Sequence, residues 1–364
     1  MRLNRRCSTR DDFRDRLSRA LINQHKSVFD SCGNLANEVA TSTSCPSCSS
    51  AQRVPKFTKD GFNHFECTSC HLVYISPRLN DTATAEFYNS EANDIYNERK
   101  FRMESQGTDI DDRLNIELLE WLESVTGFLS SEKNILEIGP GRGALMHEAE
   151  RRGWTASGVE LNLENADELE RSFPGRVYRN ELSSLSLSPG SFSVIFLRDV
   201  IEHIPRPQDF LIKCFELLNS DGVICIATHN VEGLIHRIVG KRHSVIFGFE
   251  HPVHWSPRSL RSALSSIGFN DFQVRYGSEI PEYQFVVSDL SSSAILGYFM
   301  DPPFTYIFPG WPRSRFALRL AYKILNNRYV GLRNPWFFKL DANLWHRVAV
   351  RNETESYFAI AARK

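Results

Sequence analysis

Short apolar runs alternate with longer mixed ones through the middle of this chain. IELLEWLESVTGFL has helical apolar spacing, and Ile135 to Ile138 is a buried-type strand. ALMHEAERRG opens another helix, and TASGVEL is the next strand. FLRDVIEHIPRP begins as an apolar strand and breaks at Pro205 and Pro207, the second being suited to a first helical position. Phe272 to Arg275 and Tyr357 to Ala361 read as two late strands. Strands alternating with helices predict an α/β fold with a doubly wound sheet over residues 131–364. Residues 41–80 follow another pattern, with two short strands around Lys59-Asp60-Gly61, a hairpin signal, and a third at His71-Leu72-Val73-Tyr74. Residues 1–40 read as a polar lead-in, partly helical or disordered, and 81–130 as a helical cap or bridge.

With 364 residues the chain is long enough for two or more domains. Its 41% hydrophobic and 24% charged content is ordinary for a globular protein. A formal net charge of -1 supplies no general basic field for nucleic acid. No run has the ~18–20 apolar residues of a membrane-spanning helix. The N-terminus is rich in arginine, but Asp11, Asp12 and Asp15 argue against an organelle transit peptide, and a secretory apolar core is missing. The expected location is the cytoplasm.

Four of the eight cysteines form two pairs, Cys45-Pro-Ser-Cys48 and Cys67-Thr-Ser-Cys70, eighteen residues apart. Each Cys-x-x-Cys turn aims two thiolates at one point, and two such turns complete a tetrahedron around zinc. Four cysteines leave no open coordination position, so the expected metal is structural Zn2+ in a small N-terminal zinc ribbon. His64 and His71 are expected on the ribbon surface.

After the strand ending at Ile138 come Gly139, Gly141 and Gly143, which permit a tight turn where backbone meets a ligand at a helix start. Glu160 lies twenty-one residues beyond Gly139, at the end of the next strand, where an acid suits ribose hydroxyls. Glu137, two residues before the first glycine, suits a cationic or amino-bearing ligand better than a pyrophosphate.

At these residues the chain resembles the class I S-adenosylmethionine-dependent methyltransferases, from about residue 115 to the end. LSLSPGSFSVIFLRDVIEHIPRPQDFLIKCFELLNSDGVICIAT looks like their fourth strand, following helix and fifth strand; SYFAIAARK looks like their last. The resemblance implies a Rossmann-like seven-stranded sheet. It implies that Glu137, Gly139, Gly141 and Gly143 wrap the amino acid end of S-adenosylmethionine and that Glu160 takes the ribose. Glu181 and Leu182 would flank adenine, and Arg198 and Asp199 would lie by the methionine. Ser193 departs from the family, which usually carries an acid there. With the cysteine segment, CTSCHLVYISPRLNDTATAEFYN is similar to ribbon-bearing methyltransferases of bacterial sugar and surface-glycan biosynthesis.

Asp199, Glu202 and His203 stand at i, i+3 and i+4, one face if a helical turn forms. Three readings stay open. The turn supports the methionine pocket; or His203 is a general base for the acceptor; or Asp199, Glu202, His203 and His251 hold a divalent ion, Mg2+ or Mn2+. The third is similar to Glu-x-x-Glu-His in metal-dependent RNA 3'-end 2'-O-methyltransferases and ubiquinone-pathway O-methyltransferases, with Glu250-His251-Pro252-Val253-His254-Trp255 supplying later histidines. His251 and His254 otherwise line the acceptor cleft. An aromatic-rich insertion at about 277–352 carries an amphipathic helix, SRFALRLAYKILNNRYV, and reads as a lid, a dimer surface or a membrane-surface contact. The expected function is methyl transfer to a hydroxyl of a sugar, glycan precursor or other small metabolite. The alternatives are an RNA 2'-O-methyltransferase and a non-catalytic binding module that keeps the fold.

Overall fold

The computed structural model describes residues 5–95, 110–126, 133–233, 236, 241, 245–276 and 357–364. The expected insertion at about 277–352 lies outside the described residues, as do 96–109 and 127–130 of the expected bridge. The N-terminal part runs α1 (Arg5–Val28), β1 (Ala40–Thr41), β2 (Arg53–Lys59), β3 (Phe62–Cys67), β4 (Val73–Ile75), β5 (Arg78–Leu79) and α2 (Asp81–Tyr88). It continues through α3 (Ile110–Thr126), β6 (Asn134–Ile138), α4 (Ala144–Arg151), β7 (Thr155–Val159), α5 (Leu163–Ser172), β8 (Val177–Tyr178) and β9 (Phe192–Arg198). After these come α6 (Pro207–Leu217), β10 (Leu218–His229), β11 (Val253–His254), α7 (Pro257–Ile267), β12 (Asn270–Tyr276) and β13 (Tyr357–Arg363).

Seven strands form one sheet in the order β12-β13-β10-β9-β6-β7-β8. From β8 to β10 all neighbours are parallel, and β13 runs antiparallel to both β10 and β12. This is the predicted doubly wound α/β fold. Along β6 the residues alternate between two cores. Leu136 and Ile138 bury on the side of α6 and α7, with Leu211, Leu217 and Leu264. Ile135 buries on the other side, with Leu118 and Leu122 of α3 and Met146 of α4. Local chemistry sets the helix ends. Pro207 opens α6 at its first turn, and Ser256 and Ser259 form a reciprocal capping box on α7. The chain order reverses between β6 and its two neighbours, β7 and β9, so a crevice opens beyond the carboxyl ends of β6 and β9.

The ribbon strands belong to a four-stranded sheet ordered β11-β4-β3-β2, so a strand from the stretch between β10 and β12 completes it. Cys45, Cys67, Cys70, Leu72 and Tyr74 share one hydrophobic core with Ile201 and Trp255. The lead-in is helical, and its Leu17, Ala20 and Leu21 pack with Ala92 and Ile95. Among the described residues no helix is long and apolar enough to cross a membrane.

Candidate active site

The first half of the site is the turn after β6. Gly139, Gly141 and Gly143 all have left-handed φ, at 69°, 55° and 78°. A Cβ on Gly139 would lie 2.8 Å from Val200 Cγ2, so the turn is pressed against the chain leaving β9. A Cβ on Gly141 would meet no protein atom within 4 Å. That side of the turn is open, which is the room a ligand needs.

Around the turn sit three charged side chains. Glu137 is 3% exposed, and its Oε2 has no hydrogen-bond partner. Burial pushes its carboxyl up to about 8, against the opposing charge of Arg198. Glu160 is also buried. Its Oε2 accepts the Gly141 N–H at 2.9 Å and its Oε1 accepts the Asn162 N–H at 2.7 Å, which locks the glycine turn to the end of β7. Arg198 Nη1 lies 3.9 Å from Asp199 Oδ2. Leu182 is buried and Glu181 beside it is exposed. A buried carboxyl with one unpartnered oxygen, an open glycine face and a strand-end acid suit a ligand with a cationic amino acid end and a ribose.

The second half follows β9. Ile201–His203 forms a single 3-10 turn, not the α-helical turn that would align Asp199 with it. Asp199 has a left-handed φ of 54° and an exposed side chain, which turns it away from the other two. Glu202, His203 and His251 do come together, each offering a ligand atom within 4.8 Å of the others. The His203 and His251 rings meet edge-on, with centroids 4.5 Å apart. His251 Nδ1–H donates to the Val245 carbonyl at 2.7 Å, which leaves its Nε2 lone pair for the cluster. Burial keeps this imidazole well below its ordinary pKa, so it is neutral. Glu202 is 1% exposed and its Oε2 has no partner. Burial is the largest influence and opposes its ionisation, but the His229 hydrogen bond and the fields of His229, His203 and His251 together hold the carboxyl below the usual range. A carboxylate oxygen and two imidazole nitrogens converging in this way suit a divalent cation.

Two residues with no motif of their own complete this half. His229 Nδ1, at the end of β10, lies 3.3 Å from Glu202 Oε1. Tyr88 Oη, at the end of α2, lies 3.0 Å from His203 Nδ1. His229 was findable in principle, because it ends the apolar run VICIATH at the crevice edge. Tyr88 comes from a distant helix and leaves no local signal. His254 is fully buried, with neither ring nitrogen hydrogen-bonded, and lies behind His251. His64 is not on the ribbon surface as expected: it is 1% exposed and stacks on His254 at 5.1 Å, because β3 faces the core there. His71 is half-buried and pairs with Glu66.

The four cysteines of the ribbon face one point, all Sγ atoms within 4.8 Å of one another. Cys45 and Cys70 are 3.4 Å apart, and Cys48 and Cys67 3.5 Å. Zinc–thiolate bonds of about 2.3 Å in a tetrahedron separate sulfurs by roughly 3.8 Å. The hydrogen bond from Cys70 pulls Cys45 down to about 5 and pushes Cys70 up, the behaviour of sulfurs sharing protons where a cation would replace them. The set fits zinc.

Residues 111–274 match the family model described as a methyltransferase domain. The chain carries a methyltransferase domain. The curated relatives include the ubiquinone biosynthesis O-methyltransferase of Psychrobacter cryohalolentis, 26% identical over 148 residues, covering 34% of this chain and 58% of that protein. The same enzyme of Albidiferax ferrireducens is 28% identical over 120 residues, covering 31% and 46%. This chain thus spans between about half and three fifths of the length of those relatives. Among solved structures, a SAM-dependent methyltransferase from Archaeoglobus fulgidus aligns with a TM-score of 0.42 at 18% identity, covering 68% of this chain and 94% of that one. The methyltransferase domain contains the glycine turn and the Glu202–His203–His251 group; the cysteine cluster and Tyr88 precede it.

Proposed function

We infer that this protein transfers the methyl group of S-adenosylmethionine to an oxygen of a small-molecule acceptor, a hydroxyl of a sugar, a glycan precursor or another metabolite. The observation that carries this reading is the Glu202, His203 and His251 group at the end of β9, joined to the glycine turn through the Val200–Gly139 contact. S-adenosylmethionine, when bound, supplies a methyl already activated on a sulfonium, so alignment and deprotonation of the acceptor are left to the protein. Gly139, Gly141 and Gly143 hold the amino acid end by backbone, Glu137 faces its positive charge, and Glu160 takes the ribose; Glu181 and Leu182 flank the adenine, and Arg198 lies by the methionine. Glu202, His203 and His251 hold a divalent ion such as Mg2+ or Mn2+, which would lower the pKa of an acceptor hydroxyl. Asp199 lies at the rim and His254 behind the cluster. RNA 2'-O-methylation is the second reading, favoured by the same acid–histidine group and disfavoured by the net charge of -1. The reading keeps the chain in the cytoplasm, where the cofactor is made and thiols stay reduced.

The test is incubation of purified protein with extracts and methyl-labelled S-adenosylmethionine, with mass spectrometry of the products. Label on an oxygen of a small metabolite supports the reading; label on RNA supports the second; no label in any fraction contradicts both.

Glu137 gives this reading a pH signature. Its carboxyl is raised to about 8 from an ordinary 4.5, so at neutral pH the free protein holds a proton there. A cationic ligand beside it favours the carboxylate, and binding then releases that proton. Affinity for S-adenosylmethionine should rise as pH climbs toward about 8 and level off above it. Calorimetry in two buffers of different ionisation heat reads the release. An affinity unchanged between about pH 6 and 9 would remove Glu137 from the binding site.

Cys45, Cys48, Cys67 and Cys70 hold structural zinc on the same reading. Elemental analysis should find about one tightly held zinc per chain. Cys67→Ala should lose it, and a zinc-free natural chain of unchanged stability would count against the ribbon.

A further inference from the structure

The strand that carries His254, and follows His251 by two residues, is two residues long. Such a strand has no stability of its own and exists because a neighbour pairs with it. The neighbour is β4 of the ribbon: Val253 pairs with Tyr74 and His254 with Val73, and the Ile75 N–H donates to the Pro252 carbonyl at 3.0 Å. On its other side β4 pairs with β3, through His64, Phe65 and Glu66. The strand β3 ends at Cys67, and β4 starts three residues after Cys70. Between them the knuckle is closed by the His71 N–H to Cys67 carbonyl bond at 3.0 Å and the Cys67 N–H to Leu72 carbonyl bond at 2.9 Å. A metal bound by Cys67 and Cys70 therefore fixes the point from which β4 leaves.

Side-chain packing follows the same route. Val73, Tyr74, Ile75, Val253 and His254 are each 1% exposed or less. The Phe62 ring of β3 meets Phe249 edge-on at 5.2 Å, and a Cβ on Gly248 would overlap Phe62. Residues 248–254 are thus moulded on the ribbon sheet, while the seven-stranded sheet has its own hydrogen bonds and its own helices.

We propose that the cysteine ribbon is a positioning element for the acid–histidine site: the β4–β11 pairing, set by metal at the cysteines, places His251 beside Glu202 and His203. Loss of zinc loosens β4, β4 releases β11, and His251 leaves the cluster while the glycine turn stays formed. The functional half of this statement rests on the reading of Glu202, His203 and His251 given above; the structural half does not.

The experiment uses the full chain. Cys48, the exposed member of the four, is replaced in Cys48→Ser, and zinc is released from both proteins to 4-(2-pyridylazo)resorcinol, with remaining metal quantified. Hydrogen exchange is then followed in peptides covering 73–75, 246–256, 134–138 and 192–198. With zinc lost, 73–75 and 246–256 should exchange at least about tenfold faster, and the β6 and β9 peptides no more than about twofold faster. Manganese binding read by electron paramagnetic resonance should weaken about tenfold, with S-adenosylmethionine binding by calorimetry unchanged. Unchanged exchange in 246–256 would overturn the proposal. So would an equal loss across β6 and β9, since zinc would then serve the whole fold. A zinc-loaded natural chain that binds no manganese removes the metal reading of the cluster, and exchange still decides the coupling.

Discussion

Gly141→Val should bind S-adenosylmethionine at least about a hundredfold more weakly than the natural chain, and should still fold. Two terms separate here. The fold term is the left-handed φ of 55°, which costs a valine about 1–2 kcal/mol. No clash adds to it, because a Cβ at this position meets no protein atom within 4 Å. Stability should fall by a few degrees in Tm. The binding term is larger, because the branched side chain fills the open face that the ligand's amino acid end requires. Gly143→Val is the contrasting case: its Cβ would overlap Leu169 of α5, so loss of binding would come with damage to the fold. Calorimetry and thermal melting on the two variants separate the effects. Full cofactor affinity in Gly141→Val would move the binding site away from this turn.

Glu202→Gln should cut methyl transfer by at least about a hundredfold and leave S-adenosylmethionine affinity within about threefold. The substitution keeps shape and removes charge. The amide oxygen can still accept from His229 Nδ1, 3.3 Å away in the natural protein. The new amide nitrogen takes the place of an oxygen that has no hydrogen-bond partner, so no existing bond is lost. A divalent ion loses its anionic ligand, and manganese binding should disappear with activity. The reading of His203 as a metal-free base predicts a different pattern. Chelation with the ribbon zinc monitored would then leave activity intact, and His203→Ala would abolish it. Normal turnover in both Glu202→Gln and His203→Ala would leave the turn as support for the methionine pocket only.

The glycine turn and the cysteine pairs were readable in the sequence because each is a local device. Ile135 to Ile138, the three glycines and Glu160 lie within one strand–turn–helix–strand run, and the cysteine pairs close two tight knuckles. The acid–histidine site is different. His251 reaches Glu202 through the pairing of β11 with β4, far away in sequence, and Tyr88 reaches His203 from α2. Helical spacing suggested that Asp199 shares a face with Glu202 and His203, but a left-handed φ at Asp199 breaks that spacing. His64 looks like a surface residue within its hairpin, and it is buried between Phe57 of β2 and His254 of β11. Local pattern reports local geometry; a site assembled by long-range pairing escapes it.

Among the described residues β12 has no hydrogen-bonded strand neighbour except β13, although residues 277–356 separate the two. A ribosome making this chain releases β12 well before its partner exists. The edge of β10 is equally exposed at that stage, because seven of its residues, Val223 through His229, pair with β13. Non-local strands of this kind join late and leave a sticky intermediate behind them. The synthesis of residues 277–356 is therefore a vulnerable interval, in which an open edge of Ile224, Ile226 and Ala227 waits for a strand still being made. A nascent chain stalled anywhere between residues 277 and 356 is the form that chaperones should hold longest, and Tyr357–Arg363 is the segment whose arrival releases it.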